Sequence, residues 1–144
     1  MQDKPFKEGR VSWKSEGMKF EGTTHSGFRF PLDSQPDQGH EAEAAKPMDL
    51  VLVALAGCTG MDVVSILQKK RQPVTGLEVV TRGVQASNPP NVYTEIHIEY
   101  VVHGEGVEPE AVERSIELSE GKYCSVSAML GKTAKITTSY RLES

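Results

Sequence analysis

The stretch Pro47-Met48-Asp49-Leu50-Val51-Leu52-Val53-Ala54-Leu55-Ala56-Gly57-Cys58-Thr59-Gly60-Met61-Asp62-Val63-Val64 decides the fold. Proline fits the first position of a helix, and Asp49 in the first turn meets the positive end of the macrodipole. From Leu50 to Gly57 the chain is apolar on every side. Amphipathicity returns at Met61, Val63, Val64, Ile66 and Leu67. Gln68-Lys69-Lys70-Arg71 then brings cations to the C-terminal end, and Pro73 stops the element. The pattern predicts a helix over 47–71. A helix apolar all round in a water-borne chain has to be surrounded by protein. With one other substantial helix among 144 residues, this chain cannot cover it alone, so a second subunit is expected to help.

Upstream, Arg10 to Lys14, Met18 to Thr23 and Phe28 to Leu32 are short β segments separated by glycine-containing turns, a meander over 8–32. Residues 33–46, polar with Pro, Gly and Gln, read as a surface loop. Downstream, Val74 to Ser87 and Val92 to His103 predict a long hairpin over 74–104, turned at Asn88-Pro89-Pro90-Asn91. Alternation in the second arm sets Tyr93, Glu95, His97 and Glu99 on a wet face. Pro109 opens a second helix with Val112 and Ile116 inward, and a Cys124 segment carries it to residue 130. A last strand follows over 134–143. The sum is one α+β domain over 1–144.

Sixteen Lys and Arg against twenty Asp and Glu give a net charge of -4. Neither a basic surplus nor a basic stripe is present, so nucleic acid is not an expected partner. The apolar run Leu50–Gly57 is far shorter than the ~20 residues of a bilayer span. Met1-Gln2-Asp3-Lys4-Pro5 has no apolar core of a signal peptide. A cytoplasmic location without membrane association is therefore expected.

The two cysteines lie 66 residues apart and form neither a redox CxxC nor a zinc motif, and His25, His40, His97 and His103 are scattered. By elimination the thiols are the most chemically loaded groups. Cys58 lies mid-helix between Gly57 and Gly60, and each glycine costs about 1 kcal/mol there relative to alanine. Two readings stand: the glycines let a substrate or backbone approach the sulfur, or Cys58 is a small apolar filler. Cys124 lies at the start of a short helix, a position that lowers a thiol pKa. Equally, Ser125 and Ser127 are the caps and the cysteine is incidental.

The Pro47–Val64 stretch resembles the central helix of the OsmC/Ohr superfamily, and Lys122-Tyr123-Cys124-Ser125-Val126-Ser127 resembles its second cysteine segment. The order of elements agrees along nearly the whole chain. The resemblance implies an OsmC-like α+β fold: an intertwined homodimer with antiparallel sheets packed on buried central helices. It also implies a thiol-dependent peroxidase for organic hydroperoxides, acting in oxidative-stress defence. Cys58 would form a sulfenic acid, Cys124 would resolve it, and an external dithiol would reduce the disulfide. No metal, haem or nicotinamide is needed. Two departures mark the chain. Met48 stands where the hydroperoxide reductases carry a glutamate, and the hairpin Thr23–Gly27 places His25 near their arginine, so the chain resembles the Pro-Met-Glu/Asp-Leu branch more closely.

His25, or Arg29 or Arg10, is then expected to supply the counter-charge for the thiolate. Asp49, nine residues before Cys58 and on the opposite side of an ideal helix, would orient that cation. Asp62 is expected to face solvent or a cation. Val51, Leu55 and Met61 would line an apolar substrate pocket. The alternative is a dimeric protein that binds a small hydrophobic ligand without peroxidase activity, and a third reading is a stress protein without chemistry.

Overall fold

A computed structural model describes residues 3–34 and 41–144. Residues 35–40 of the expected loop, including His40, lie outside the described residues. The chain resolves into two compact units, Met1–Val51 and Leu52–Ser144.

The first unit carries an antiparallel meander of β1 (Arg10–Trp13), β2 (Phe20–Thr23) and β3 (Arg29–Leu32). Gly27, at φ +94°, closes the second turn by donating to the Thr24 carbonyl at 3.0 Å. Gly22 lets the Phe30 ring cross the sheet, where a Cβ would lie 2.9 Å from it. Asp33 caps this unit by accepting the backbone N–H groups of Ser34 (2.8 Å) and Glu43 (3.0 Å). Helix α1 (Pro47–Lys69) starts here and runs on into the second unit. It ends at Lys69 rather than Arg71, because Arg71 takes a left-handed φ of 56°.

The second unit holds β4 (Gly76–Gln85), β5 (Tyr93–His103), α2 (Pro109–Leu118), a π-helical turn (Ser119–Tyr123), α3 (Ser125–Leu130) and β6 (Lys135–Glu143). Its sheet order is β4-β5-β6. The β4–β5 pair is antiparallel, as a hairpin must be, but β6 lies parallel to β5. Expecting antiparallel sheets throughout therefore missed this last pairing. Parallel neighbours need a long crossover, and the segment through α2, the π turn and α3 supplies it.

Ile96, Ile98, Tyr100 and Val102 form one face of β5, all at most 1% exposed, and they share the core with Leu55, Val63 and Leu67 of α1 and Val112 and Ile116 of α2. Tyr93 departs from the alternation and is buried at 6% exposure. A bulge between Val84 and Gln85 shifts the pairing there, and one slipped residue moves a side chain to the other face. Gly83 makes room for the ring, since a Cβ there would lie 2.6 Å from it. Gly60 has a comparable role in α1: a Cβ would meet Val79 Cγ2 at 3.3 Å, so this glycine serves helix–sheet approach. Gly57 has nothing within 4 Å of its Cβ position.

Over its most apolar 18 residues α1 has a mean hydropathy of 2.2, so by length and composition it is long enough to cross a membrane. The count based on Leu50–Gly57 stopped too early, because Met61, Val63, Val64, Ile66 and Leu67 continue the apolar character past the glycines. In this fold, however, α1 also carries buried Thr59 and half-buried Asp62, both bound to groups of other elements.

Candidate functional site: a dithiol centre beside a polar chain

Cys58 and Asp62 are one helical turn apart on α1, so they share a face. Cys124 approaches them from the junction of the π turn and α3. The three ligand atoms, two Sγ and one carboxylate oxygen, all lie within 4.8 Å of one another. Both cysteines are free thiols, with Cys58 half-buried and Cys124 buried. Asp62 therefore points at the sulfurs instead of facing solvent or a cation, and a buried serine explains why.

Ser119 donates to Asp62 Oδ2 at 2.9 Å. Its oxygen also lies 2.7 Å from Thr59 Oγ1, which is in turn 2.7 Å from the Tyr100 hydroxyl. Each hydroxyl has one proton to give. With Ser119 spending its proton on the carboxylate, Thr59 donates to Ser119 and Tyr100 donates to Thr59. The result is a one-way chain, Tyr100 to Thr59 to Ser119 to Asp62, ending on an anion. Thr59, Tyr100 and Ser119 are all fully buried, and burial raises the Tyr100 pKa above its ordinary value. The phenol thus stays a donor.

The π turn builds the other wall. The Cys124 N–H closes it onto the Ser119 carbonyl at 2.8 Å, and such turns are frequent where a helix meets a functional site. Cys124 then caps α3, its sulfur accepting the Ser127 N–H at 3.3 Å. That contact lowers the thiol pKa, as expected for a helix start, but burial outweighs it. The Cys124 pKa is pushed up to about 12, with Cys58 and Glu120 adding to the effect of burial. Glu120 accepts from Ser127 Oγ at 2.6 Å through Oε1, and its buried Oε2 has no hydrogen-bond partner among the described residues.

The other candidates sit in their own elements as follows. His25 is exposed in its hairpin, and its Nδ1 accepts the Glu8 N–H at 3.0 Å, which places the ring hydrogen on Nε2. Asp49 is exposed in the first turn of α1, and Met48 beside it is 37% exposed. Val51 is half-buried and Leu55 fully buried. Met61 is 77% exposed and opens onto a groove of about 610 Å³ with Val53, Gly57, Val64, Leu77 and Val79. Val51 and Leu55 thus share the helix side nearest Cys58, while Met61 lines a separate surface. Sequence reasoning did not identify Thr59, Tyr100, Ser119 or Glu120. The i, i+4 spacing of Cys58 and Asp62 was the one visible signal of the carboxylate's place.

A half-buried thiol backed by a buried one, on a long central helix between sheet and crossover, defines a dithiol protein of small α+β type. The family model described as OsmC-like protein matches residues 39–139, and the chain belongs to the OsmC-like family. It is 39% identical to Protein YhfA of Escherichia coli K12 over 135 residues, covering 94% of this chain and 97% of that one. A crystal structure of a hypothetical protein from Aquifex aeolicus VF5 is 34% identical, with a TM-score of 0.78 over 98% of this chain and 100% of that one. An organic hydroperoxide resistance protein from Elizabethkingia anophelis shares the fold at 13% identity, with a TM-score of 0.71 over 99% of this chain and 100% of that one.

Proposed function

We propose that the protein is a two-cysteine thiol peroxidase that reduces organic hydroperoxides in a reducing, cytoplasmic setting. The observation that carries this reading is the placement of one half-buried and one buried free thiol within 4.8 Å of each other and of a carboxylate. Cys58, the reachable sulfur, gives its proton to Asp62 and attacks the distal peroxide oxygen. The O–O bond breaks, the leaving alkoxide takes the proton back from Asp62, and Cys58 is left as a sulfenic acid. Cys124, held as a thiol by burial, attacks that sulfur; a disulfide forms and water leaves. An external dithiol returns both thiols. The reaction draws on no metal or organic cofactor. Disulfide closure to about 2.05 Å falls to the π turn, which carries Cys124 at its end.

His25 as an Nε2–H donor, or Arg29 or Arg10 as a cation, favours the Cys58 thiolate, and Asp49 orients that group. A second copy of the chain covers the apolar groove along Val53, Met61 and Val64, giving a homodimer. The competing occupant of that groove is a small hydrophobic ligand, the alternative in which the protein binds rather than reacts. The functional experiment is steady-state consumption of cumene hydroperoxide with a dithiol reductant. Turnover is expected in the wild type and absent in Cys58→Ser. Equal rates in the two would overturn the proposal.

A further inference from the structure

The three donors at the dithiol centre converge on one point. Two sulfurs and one carboxylate oxygen lie within 4.8 Å of one another. Asp62 forms no ion pair among the described residues, and it is held by the Ser119 hydroxyl. Ser119 holds the carboxylate in place, and Ser119 is itself fixed by Thr59, so the arrangement is built rather than incidental. A positive ion at the point where they converge would be bound by all three.

We infer that Cys58 Sγ, Cys124 Sγ and an Asp62 carboxylate oxygen form a binding site for a thiophilic divalent cation of the zinc class. Two sulfurs and one oxygen are a donor set that zinc takes, and three protein ligands leave the fourth tetrahedral position to water. Metal–sulfur bonds of about 2.3 Å imply a sulfur–sulfur edge of about 3.8 Å, so donors within 4.8 Å need only side-chain adjustment. The Ser119–Asp62 bond is the kind of outer contact that aims a ligating carboxylate. Binding replaces two thiol protons by the ion and releases both protons to solvent; no electrons move. Half-buried Cys58 gives the ion its way in. The loaded centre holds Cys58 away from peroxide, so the ion acts as a reversible block and protects both sulfurs from oxidation. The sequence shows no zinc motif because the ligands come from a helix turn and a residue 62 positions further on.

The site is read without peroxide, so its failure and the failure of the peroxidase reading are separate results. Reduced, chelator-treated protein is titrated anaerobically with Co²⁺. One ion per chain is expected, with a near-ultraviolet thiolate-to-cobalt charge-transfer band and the visible bands of a tetrahedral centre. Zn²⁺ should displace it and slow alkylation of both cysteines. Cys58→Ser and Cys124→Ser should each remove at least half of the charge-transfer intensity. Asp62→Asn keeps an oxygen for Ser119 to donate to, and should weaken binding about tenfold or more with an unchanged circular dichroism spectrum. Absence of the charge-transfer band while both thiols remain reduced and titratable would overturn the inference. So would a cobalt affinity unchanged in Asp62→Asn.

Discussion

Ser119 donates a 2.9 Å hydrogen bond to Asp62 Oδ2, and this contact sets the direction of every other bond in the buried chain. Tyr100 and Thr59 must donate toward it, and the carboxylate is turned onto the two sulfurs. Ser119 is also the first residue of the π turn, so the element that delivers Cys124 holds the carboxylate as well.

Replacing Ser119 by alanine should therefore do more than remove one bond. It strands a Thr59 hydroxyl in a fully buried position, and a buried donor left unsatisfied costs about 1–3 kcal/mol. Urea denaturation should show a loss in that range with an unchanged m-value. A smaller loss in Ser119→Ala than in an exposed control, Ser125→Ala, would show that the chain is not fixed as described.

The two thiols should differ in reactivity in the folded protein. With its pKa pushed up to about 12 by burial, Cys124 stays protonated near neutral pH, and iodoacetamide should label Cys58 first. Because the folded value lies above the 9.0 of a free thiol, the contribution of Cys124 to stability is complete below pH 9. It is lost as pH rises toward 12, where the unfolded chain binds fewer protons than the native one. The wild type should therefore lose stability above pH 9 more steeply than Cys124→Ser. Parallel stability profiles for the two proteins would contradict burial of a protonated thiol.

Val53 at 64% and Met61 at 77% exposure are apolar side chains on a helix face that water alone would cover poorly. Sedimentation at micromolar concentration should show a dimer, and Val53→Glu combined with Met61→Lys should shift it toward monomer. A stable, folded wild-type monomer would leave the groove to a small ligand and favour the binding alternative.

His25 is where the chain departs from the hydroperoxide reductases, and its tautomer, with Nδ1 accepting from Glu8, presents Nε2–H as a donor. If the hairpin supports the thiolate, His25→Ala should lower the Cys58 alkylation rate near neutral pH by about tenfold, the equivalent of one pKa unit or ~1.4 kcal/mol. Identical pH profiles in the two proteins would assign the counter-charge to Arg29 or Arg10.

Much of this architecture was legible in the residues. Pro47 and Pro73 bracket α1, and the period of two through Ile96, Ile98 and Tyr100 marks the buried face of β5. Tyr93 was not, because Thr94 is an extra residue in the pairing with β4, and that bulge within β5 breaks the period of two just after Tyr93. The parallel pairing of β6 is likewise a choice of partner rather than of local pattern. At the site, Cys58 and Cys124 stood out by their motifs. Asp62 was visible as a neighbour, but its direction depends on Ser119, 57 residues away. Polar groups that satisfy one another across elements leave no periodic trace, and so Thr59, Tyr100 and Ser119 passed as ordinary helix and strand residues.

The proposed chemistry needs Cys58 and Cys124 to act as one redox pair. The most direct measurement is peptide mapping under non-reducing conditions after one equivalent of cumene hydroperoxide. A Cys58–Cys124 disulfide within one chain is expected, with the mass lowered by two hydrogens, and in Cys124→Ser a Cys58 arrested at sulfenic or sulfinic acid. A Cys58 that remains a free thiol in the wild type under excess hydroperoxide would contradict it.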